Sequence, residues 1–130
     1  MKSFLSPLLQ ADSIAHVLEN VSTHRLIAEQ LLTAFDSASR RQGLLGRDSL
    51  PSGSALIIAP SNAVHTFFMR FPIDILFVHR DGKVIKLRSA VRPWRIAASL
   101  RAFAVIELPA GSLAQSNTTT GDRLICRPAH

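Results

Sequence analysis

Short apolar segments bounded by proline or glycine recur through this chain, and they limit its possible folds more than any other feature. Residues 55–59, 73–78 and 103–108 are the clearest examples. Each segment is shorter than a typical globular helix and contains branched or aromatic residues that suit strands. Many short strands at close spacing, separated by Pro and Gly turns, predict a mainly β fold, either a β-sandwich or a barrel.

Turn signals place the remaining elements. Asp81-Gly82 is a strong hairpin signal and joins residues 73–78 to an alternating segment at 83–88, and a last strand is predicted at 123–127. Residues 14–33 fit either a helix or a hairpin; the polar turn at 20–24 favours a hairpin between 15–19 and 25–32. One flanking helix is predicted at 34–45, with Asp36 or Ser37 as its N-cap and Gly43 or Gly46 at its end.

The size and composition of the chain suit a single domain, residues 1–130, because 47% of the residues are apolar and can form a core. No segment approaches the roughly 20 apolar residues of a membrane span, so no membrane partner is expected. The N-terminal segment is too short and interrupted for an export signal, which makes a cytoplasmic location the default. The single Cys126 excludes an internal disulfide and a Cys-based zinc site.

Positive charge is concentrated in one segment of the chain, although the net charge is only +6. Between Gly82 and Ile106 there is no acidic residue, and the segment contains six basic residues: Lys83, Lys86, Arg88, Arg92, Arg95 and Arg101. Such a segment attracts anions through its summed field. Trp94 lies within it, and an aromatic plane beside guanidinium groups suits bases, sugars or acidic polymers. Alternatively, Trp94 fills the edge of the core while the arginines are solvated.

Residues 65–74 concentrate polar groups in an apolar setting. His65 can change charge near neutral pH, and Arg70 offers a planar fork for a carboxylate or phosphate. One interpretation is a polar cluster of these residues with Asp74 at a pocket mouth, walled by residues 67–69. The other is a structural ion pair of Asp74 with Arg70 or Arg47, because a buried carboxylate needs a partner.

Two further groups of residues are candidates. Arg40, Arg41 and Arg47 flank a Gly-Leu-Leu-Gly turn and either receive an anion or fasten the helix end to the sheet. Glu107 shares one face of its strand with residues 103 and 105, and it is either a general base with a raised pKa or a strand residue paired with arginine. The five histidines are dispersed without a ligand pair, so neither a metal nor another cofactor is expected.

Several of these stretches together resemble the DUF192 family of uncharacterised bacterial and archaeal proteins. The resemblance covers about residues 15–127 and rests on residues 40–47 (Arg-Arg-Gln-Gly-Leu-Leu-Gly-Arg), 65–74, 81–82, 93–94, 107–111 and 121–122. It implies a compact, jelly-roll-like antiparallel β-sandwich with one helix. The chain departs from the commoner family pattern because Phe68 replaces Trp, Arg70 replaces Lys, and an Asn-Thr pair is missing.

The leading functional hypothesis is a non-catalytic binding or accessory module. It would recognise a small anionic or sugar-like ligand, or a protein partner, near His65, Arg70, Asp74 and Trp94, with Arg47 and Glu107 as further candidates. One alternative is a small hydrolase or lyase that uses His65 with Asp74 or Glu107. A second alternative, nucleic-acid binding through residues 83–101, is the weakest because the other strands carry few basic residues.

Overall fold

Ten β-strands are the main elements of the computed structural model, which describes residues 2–10 and 14–130. The strands are β1 (His16–Asn20), β2 (Arg25–Ala28), β3 (Gln30–Ala34), β4 (Ser54–Ile58), β5 (Ala63–His65), β6 (Ile73–Val78), β7 (Val84–Val91), β8 (Ile96–Ala98), β9 (Ala104–Pro109) and β10 (Leu124–Pro128). The helical elements are a 3-10 turn (Ser6–Leu9), α1 (Ser37–Gln42) and α2 (Ser112–Gln115). With 41% strand and 11% helix, the predicted mainly β class is confirmed.

The strands form three sheets in the described part of the chain. The largest has five strands in the order β3-β4-β9-β6-β7, a three-stranded sheet has the order β10-β1-β2, and β5 pairs with β8 in a two-stranded ribbon. The five-stranded sheet is mixed rather than wholly antiparallel, because β3 pairs with β4 in parallel. The reason is the connection: the chain crosses over through α1 between these two strands, and a crossover returns the chain in the same direction.

Both faces of the five-stranded sheet are covered, which explains why its central strands are apolar without interruption. Leu76 and Val78 point from β6 into a core shared with β1, β2 and β10. Ile73, Ile75 and Phe77 point the other way, into a second core beneath α1 and the β5–β8 ribbon. The alternation of the sequence predicts that residues 73, 75 and 77 face one way and residues 76 and 78 the other, and the structure confirms this. The structure is a sandwich with an additional covered face.

Both predicted hairpins are present, but residues 25–32, expected as one strand, divide between β2 and β3, which belong to different sheets. β1 and β2 pair antiparallel around the turn at 21–24, and β6 and β7 pair around Asp81-Gly82. Gly82 has a φ of +94° and packs tightly, since a Cβ there would lie 2.3 Å from the Leu124 carbonyl oxygen. Only glycine fits this combination of backbone angle and close approach.

The helices differ from the prediction in extent and number. α1 is six residues long rather than spanning 34–45, because Ala34 is still in strand β3 and Gly43 ends the helix with a φ of +50°. The prediction of one helix missed α2, which occupies four residues directly after β9. A single turn of helix at Ser112–Gln115 has no apolar periodicity long enough to be read from sequence.

Candidate functional site

An open cavity of about 670 Å³ lies between α1 and the second-core face of the five-stranded sheet. Apolar side chains such as Ile58 and Met69 form part of its wall. Its lining also contains seven residues with polar or charged side chains: Ser37, Arg40, Arg41, Gln42, Ser61, His65 and Glu107. A concave site with an apolar wall and a few convergent polar groups is the usual form of a small-molecule site.

Local hydrogen bonds set the position of α1 above the sheet. The Asp36 carboxylate accepts from the Ser39 N–H at 2.8 Å and from the Ser39 hydroxyl at 2.9 Å. These bonds hold the pKa of Asp36 below its usual value, the backbone bond being the main cause. Arg40 donates to the Phe35 carbonyl oxygen at 2.8 Å, so its guanidinium is fixed beside the helix start. Arg41 is exposed and has no salt bridge within the described ranges.

Glu107 forms the buried end of the cavity. It lies on β9 with β4 and β6 on either side, opposite Leu56 and Ile75, and its residue is only 3% exposed. Burial raises its pKa from 4.5 to about 7. Its Oε1 would lie 3.8 Å from a Cβ at Gly43, so the carboxyl sits against the glycine that ends α1. Near neutral pH the group is therefore half protonated, and it can donate as well as accept a hydrogen bond.

His65 lines the same cavity as Glu107, as one alternative from the sequence requires. It is at the end of β5, and its Nδ1 accepts from the Phe67 N–H at 3.3 Å. Its ring also contacts the Phe67 ring, with centroids 4.9 Å apart. His65 thus borders both the cavity and a group of aromatic side chains.

Asp74 does not belong to this site, and the expected ion pair with Arg70 or Arg47 is wrong. Its carboxylate accepts three backbone N–H groups: those of Ala90 at 2.8 Å, Gly111 at 3.1 Å and Leu113 at 3.0 Å. These donors satisfy the buried charge, so no arginine is needed. On β6, Asp74 also faces away from Ile73 and Ile75, on the side of the sheet opposite to Glu107. It fastens the start of α2 and the end of β7 to the central strand.

The two candidate arginines lie outside the cavity lining. Arg70 is exposed and forms a salt bridge with Asp48 on the surface. Arg47 lines a shallower depression of about 490 Å³ beside Thr33 and Leu56. Because an exposed ion pair contributes little, the Arg70–Asp48 contact adds only about 0–1 kcal/mol to stability.

Trp94 lies outside the cavity lining too, but it belongs to the aromatic group that begins at His65. Its ring is stacked on that of Phe67 at a centroid distance of 5.7 Å and meets Phe68 edge-on at 4.6 Å. Phe68 and Trp94 are largely exposed, whereas Met69 turns inward to the cavity. Residues 67–69, expected to form one apolar wall, are thus separated: Met69 lines the cavity, and Phe67 and Phe68 belong to the aromatic group with Trp94.

The structure disperses the basic segment at 83–101. Lys83 lies just before the eight-residue β7 and Arg92 just after it, which places them roughly 30 Å apart along an extended strand. Lys86 is half-buried and donates to the Ala98 carbonyl oxygen at 2.8 Å. The basic residues of this segment are therefore spread along the whole length of β7 rather than gathered at one end.

Sequence reasoning did not find the hydroxyl groups of Ser37 and Ser61 in the cavity lining. Neither residue lies in a motif, and they meet only because α1 and the segment before β5 cover the same face of the sheet. Gly43 was the one indication in the sequence that the chain turns at the end of α1, because a glycine after a helical segment commonly ends the helix. Within the described residues, no group of His, Cys, Asp and Glu could hold a metal ion, and no helix could span a membrane.

Comparisons with known proteins give a family and a fold. The DUF192 family model, described as "Uncharacterized ACR", matches residues 17–126. A UPF0127 protein of Pyrococcus furiosus, from the same family, is 35% identical over 63 residues, which are 48% of this chain and 53% of that protein. The chain thus matches about half the length of this curated relative.

Two crystal structures have a similar fold. A protein of unknown function from Novosphingobium aromaticivorans matches with a TM-score of 0.70 and 23% identity, over 85% of this chain and 82% of that one. A proposed transcription regulator from Sinorhizobium meliloti matches with a TM-score of 0.72 and 24% identity, over 88% and 96% respectively. At this level of identity the likeness concerns the fold alone.

Proposed function

This chain belongs to the DUF192 family, and from that premise and the chemistry of its cavity we propose a non-catalytic binding module for a small anionic or sugar-like ligand. The observation that carries the proposal is the open cavity with a buried carboxyl at its inner end and arginines at its mouth. The family has no assigned activity, so the argument rests on the residues themselves.

The charges of the cavity favour an anion. Arg41 supplies a positive charge at the exposed mouth that no salt bridge of the described residues neutralises, and Arg40 adds a fixed charge. A protonated Glu107 donates a hydrogen bond to a ligand oxygen, whereas an ionised Glu107 repels an anion across a short distance. The hydroxyls of Ser37 and Ser61 suit the alcohol groups of a sugar acid.

Isothermal titration calorimetry with three probes tests this proposal: glucuronate, inorganic phosphate and glucose. We expect glucuronate or phosphate to bind, about tenfold more weakly at pH 8 than at pH 6, because binding requires the protonated form of a group with a pKa of about 7. Glu107→Gln, which stays neutral, should remove this pH dependence.

Charge variants provide the matched control. Arg41→Gln removes a charge at the cavity mouth, and Lys83→Gln removes one from the exposed residue just before β7, outside the cavity lining. We expect only the first to weaken binding. Failure of all three probes to bind at either pH, or equal affinities in the two variants, would contradict the proposal.

One observation favours a second candidate function, a small hydrolase or lyase. Glu107 and His65 line the same cavity, and the Glu107 pKa of about 7 suits general acid–base chemistry. Chromogenic esters and glycosides test this activity. Turnover that is lost in both Glu107→Gln and His65→Ala supports an enzyme, and turnover that persists in both variants excludes this site.

A further inference from the structure

Three large apolar side chains are exposed together near the β5–β8 ribbon: Phe68 (70% exposed), Trp94 (56%) and Ile96 (66%). The Phe68 and Trp94 rings are in contact, as described above. Ile96 pairs with His65 across the ribbon, and the His65 ring leads through Phe67 to Trp94. These three exposed residues, called the aromatic patch below, are therefore connected. Exposed apolar side chains are ordinary when isolated, but a connected group marks an interaction surface.

Backbone strain holds the two aromatic residues in place. Phe68 has a φ of +64° and Trp94 a φ of +68°, in the left-handed region that bulky residues rarely adopt. Such strain persists only where the surrounding structure enforces it. Phe68 and Trp94 are neighbours at the surface, and both have this strained backbone conformation. The surrounding structure therefore holds both rings at the surface.

Thr66 holds the backbone of both loops in position through hydrogen bonds. This residue is 1% exposed and lies between the loop of Phe68 and the loop of Trp94. Its hydroxyl donates to the Arg92 carbonyl oxygen at 2.7 Å and accepts from the Arg95 N–H at 2.9 Å. Its carbonyl oxygen accepts from the Trp94 N–H at 3.0 Å, and its own N–H donates to the Arg95 carbonyl oxygen at 2.8 Å. The two loops are thus joined into one unit.

Positive charge flanks the aromatic patch. Arg92 and Arg95 are both exposed and adjoin Trp94, and within the described ranges neither forms a salt bridge. The Arg95 guanidinium contacts the carbonyl oxygens of residues 93 and 94 at 3.4 and 3.3 Å, which keeps it beside the Trp94 backbone. The nearest acidic residue in the sequence before Arg92 is Asp81, and the next after Arg95 is Glu107, which is buried.

We propose that the aromatic patch docks onto an anionic lipid bilayer. Trp and Phe rings favour the headgroup level of a membrane, and adjacent arginines add attraction to anionic lipids. A single-stranded nucleic acid fits less well, because one face of Trp94 is already stacked on Phe67 and Ile96 offers no ring for a base. This docking is separate from the cavity, so it does not rest on the proposed ligand.

The only tryptophan of the chain, Trp94, reports directly on the proposed contact. The intact protein is titrated with vesicles of phosphatidylcholine alone and of phosphatidylcholine with phosphatidylglycerol, and Trp94 emission is followed. We expect a blue shift with the anionic vesicles and quenching when their acyl chains are brominated. With phosphatidylcholine alone we expect little change.

Three variants that retain Trp94 test the mechanism. Arg92→Gln with Arg95→Gln should weaken vesicle binding about 30-fold, because each cation near an anionic surface contributes roughly a fivefold gain in affinity. Phe68→Ser with Ile96→Ser should abolish the blue shift. Leu26→Ala, which trims an exposed apolar side chain on β2, is the matched control and should bind like the unmodified protein.

Several results would overturn the proposal. These are the absence of any emission change with anionic vesicles, equal shifts with both vesicle types, or unchanged binding in the Phe68 and Ile96 double variant. Quenching by a single-stranded oligothymidylate, without any response to vesicles, would assign the patch to nucleic acid instead. Glu107→Gln should leave vesicle binding unchanged, which separates this proposal from that for the cavity.

Discussion

Glu107→Gln should make the protein more stable at pH 8, although it replaces a residue in the middle of the central strand. The buried carboxyl has a pKa of about 7 in the folded protein against 4.5 ordinarily. The folded state therefore binds this proton more tightly than the unfolded state does. The contribution of protonated Glu107 to the free energy of unfolding is fully present below pH 4.5. It is lost as the pH rises from there to about 7.

The magnitude follows from the two pKa values. The interval from 4.5 to about 7 corresponds to about 3 kcal/mol of unfolding free energy at ~1.36 kcal/mol for each pH unit. That is a large fraction of the ~5–15 kcal/mol available to a domain of ordinary stability. Glutamine has nearly the same shape and no charge, so the variant keeps the stability that the unmodified protein loses. The expected difference in melting temperature at pH 8 is about 10 °C.

Urea denaturation of both proteins at pH 4.5, 6 and 8 measures the effect. Other carboxyl groups titrate equally in the two proteins, so the informative quantity is the difference between their unfolding free energies at each pH. We expect a difference that favours the Gln variant and grows by about 3 kcal/mol from pH 4.5 to pH 8. A difference that stays constant with pH would refute the claim that Glu107 is buried with a raised pKa.

Three further substitutions test contacts that hold the fold together outside the cavity, each by chemical denaturation. Gly82→Ala should lower the free energy of unfolding by at least about 2 kcal/mol more than Gly121→Ala does. Both glycines have positive φ, but only at Gly82 would a Cβ lie 2.3 Å from a backbone oxygen. Equal losses in the two variants would exclude this close approach. Asp74→Ala should cost about 3 kcal/mol, because three backbone N–H groups lose a charged acceptor, and a loss below ~1 kcal/mol would argue against that role. Thr66→Val should cost about 1–2 kcal/mol and increase the exposure of Trp94 to acrylamide quenching; unchanged quenching would show that the hydroxyl does not order the two loops.

The strands and their facing could be read from the sequence because they depend on local patterns. The alternation in residues 73–78 assigned the five apolar side chains of β6 to the correct cores, and Asp81-Gly82 located the hairpin. The facing of Glu107 on β9, opposite to that of its neighbours Ile106 and Leu108, was also correct. Strand periodicity and turn chemistry act over a few residues, so one sequence contains them fully.

The composition of the candidate site could not be read in the same way. Asp74 was grouped with His65 because they are close in sequence, yet β6 turns Asp74 to the opposite face of the sheet. The sequence also offered arginine as its partner, whereas the actual donors come from residues 90, 111 and 113. Backbone N–H groups belong to every residue except proline, so no side-chain pattern identifies which of them will converge.

The sequence by itself determined a mainly β chain, its turns, the inward face of each central strand and its family. The tertiary structure alone decided that β3 runs parallel to β4 through α1, and that this crossover covers one sheet face and leaves a cavity beside Glu107. It also decided that Phe68 and Trp94 meet at the surface under strain. The physical reason is range: local backbone preferences are set by neighbouring residues, whereas burial and charge environments depend on segments that meet only after folding.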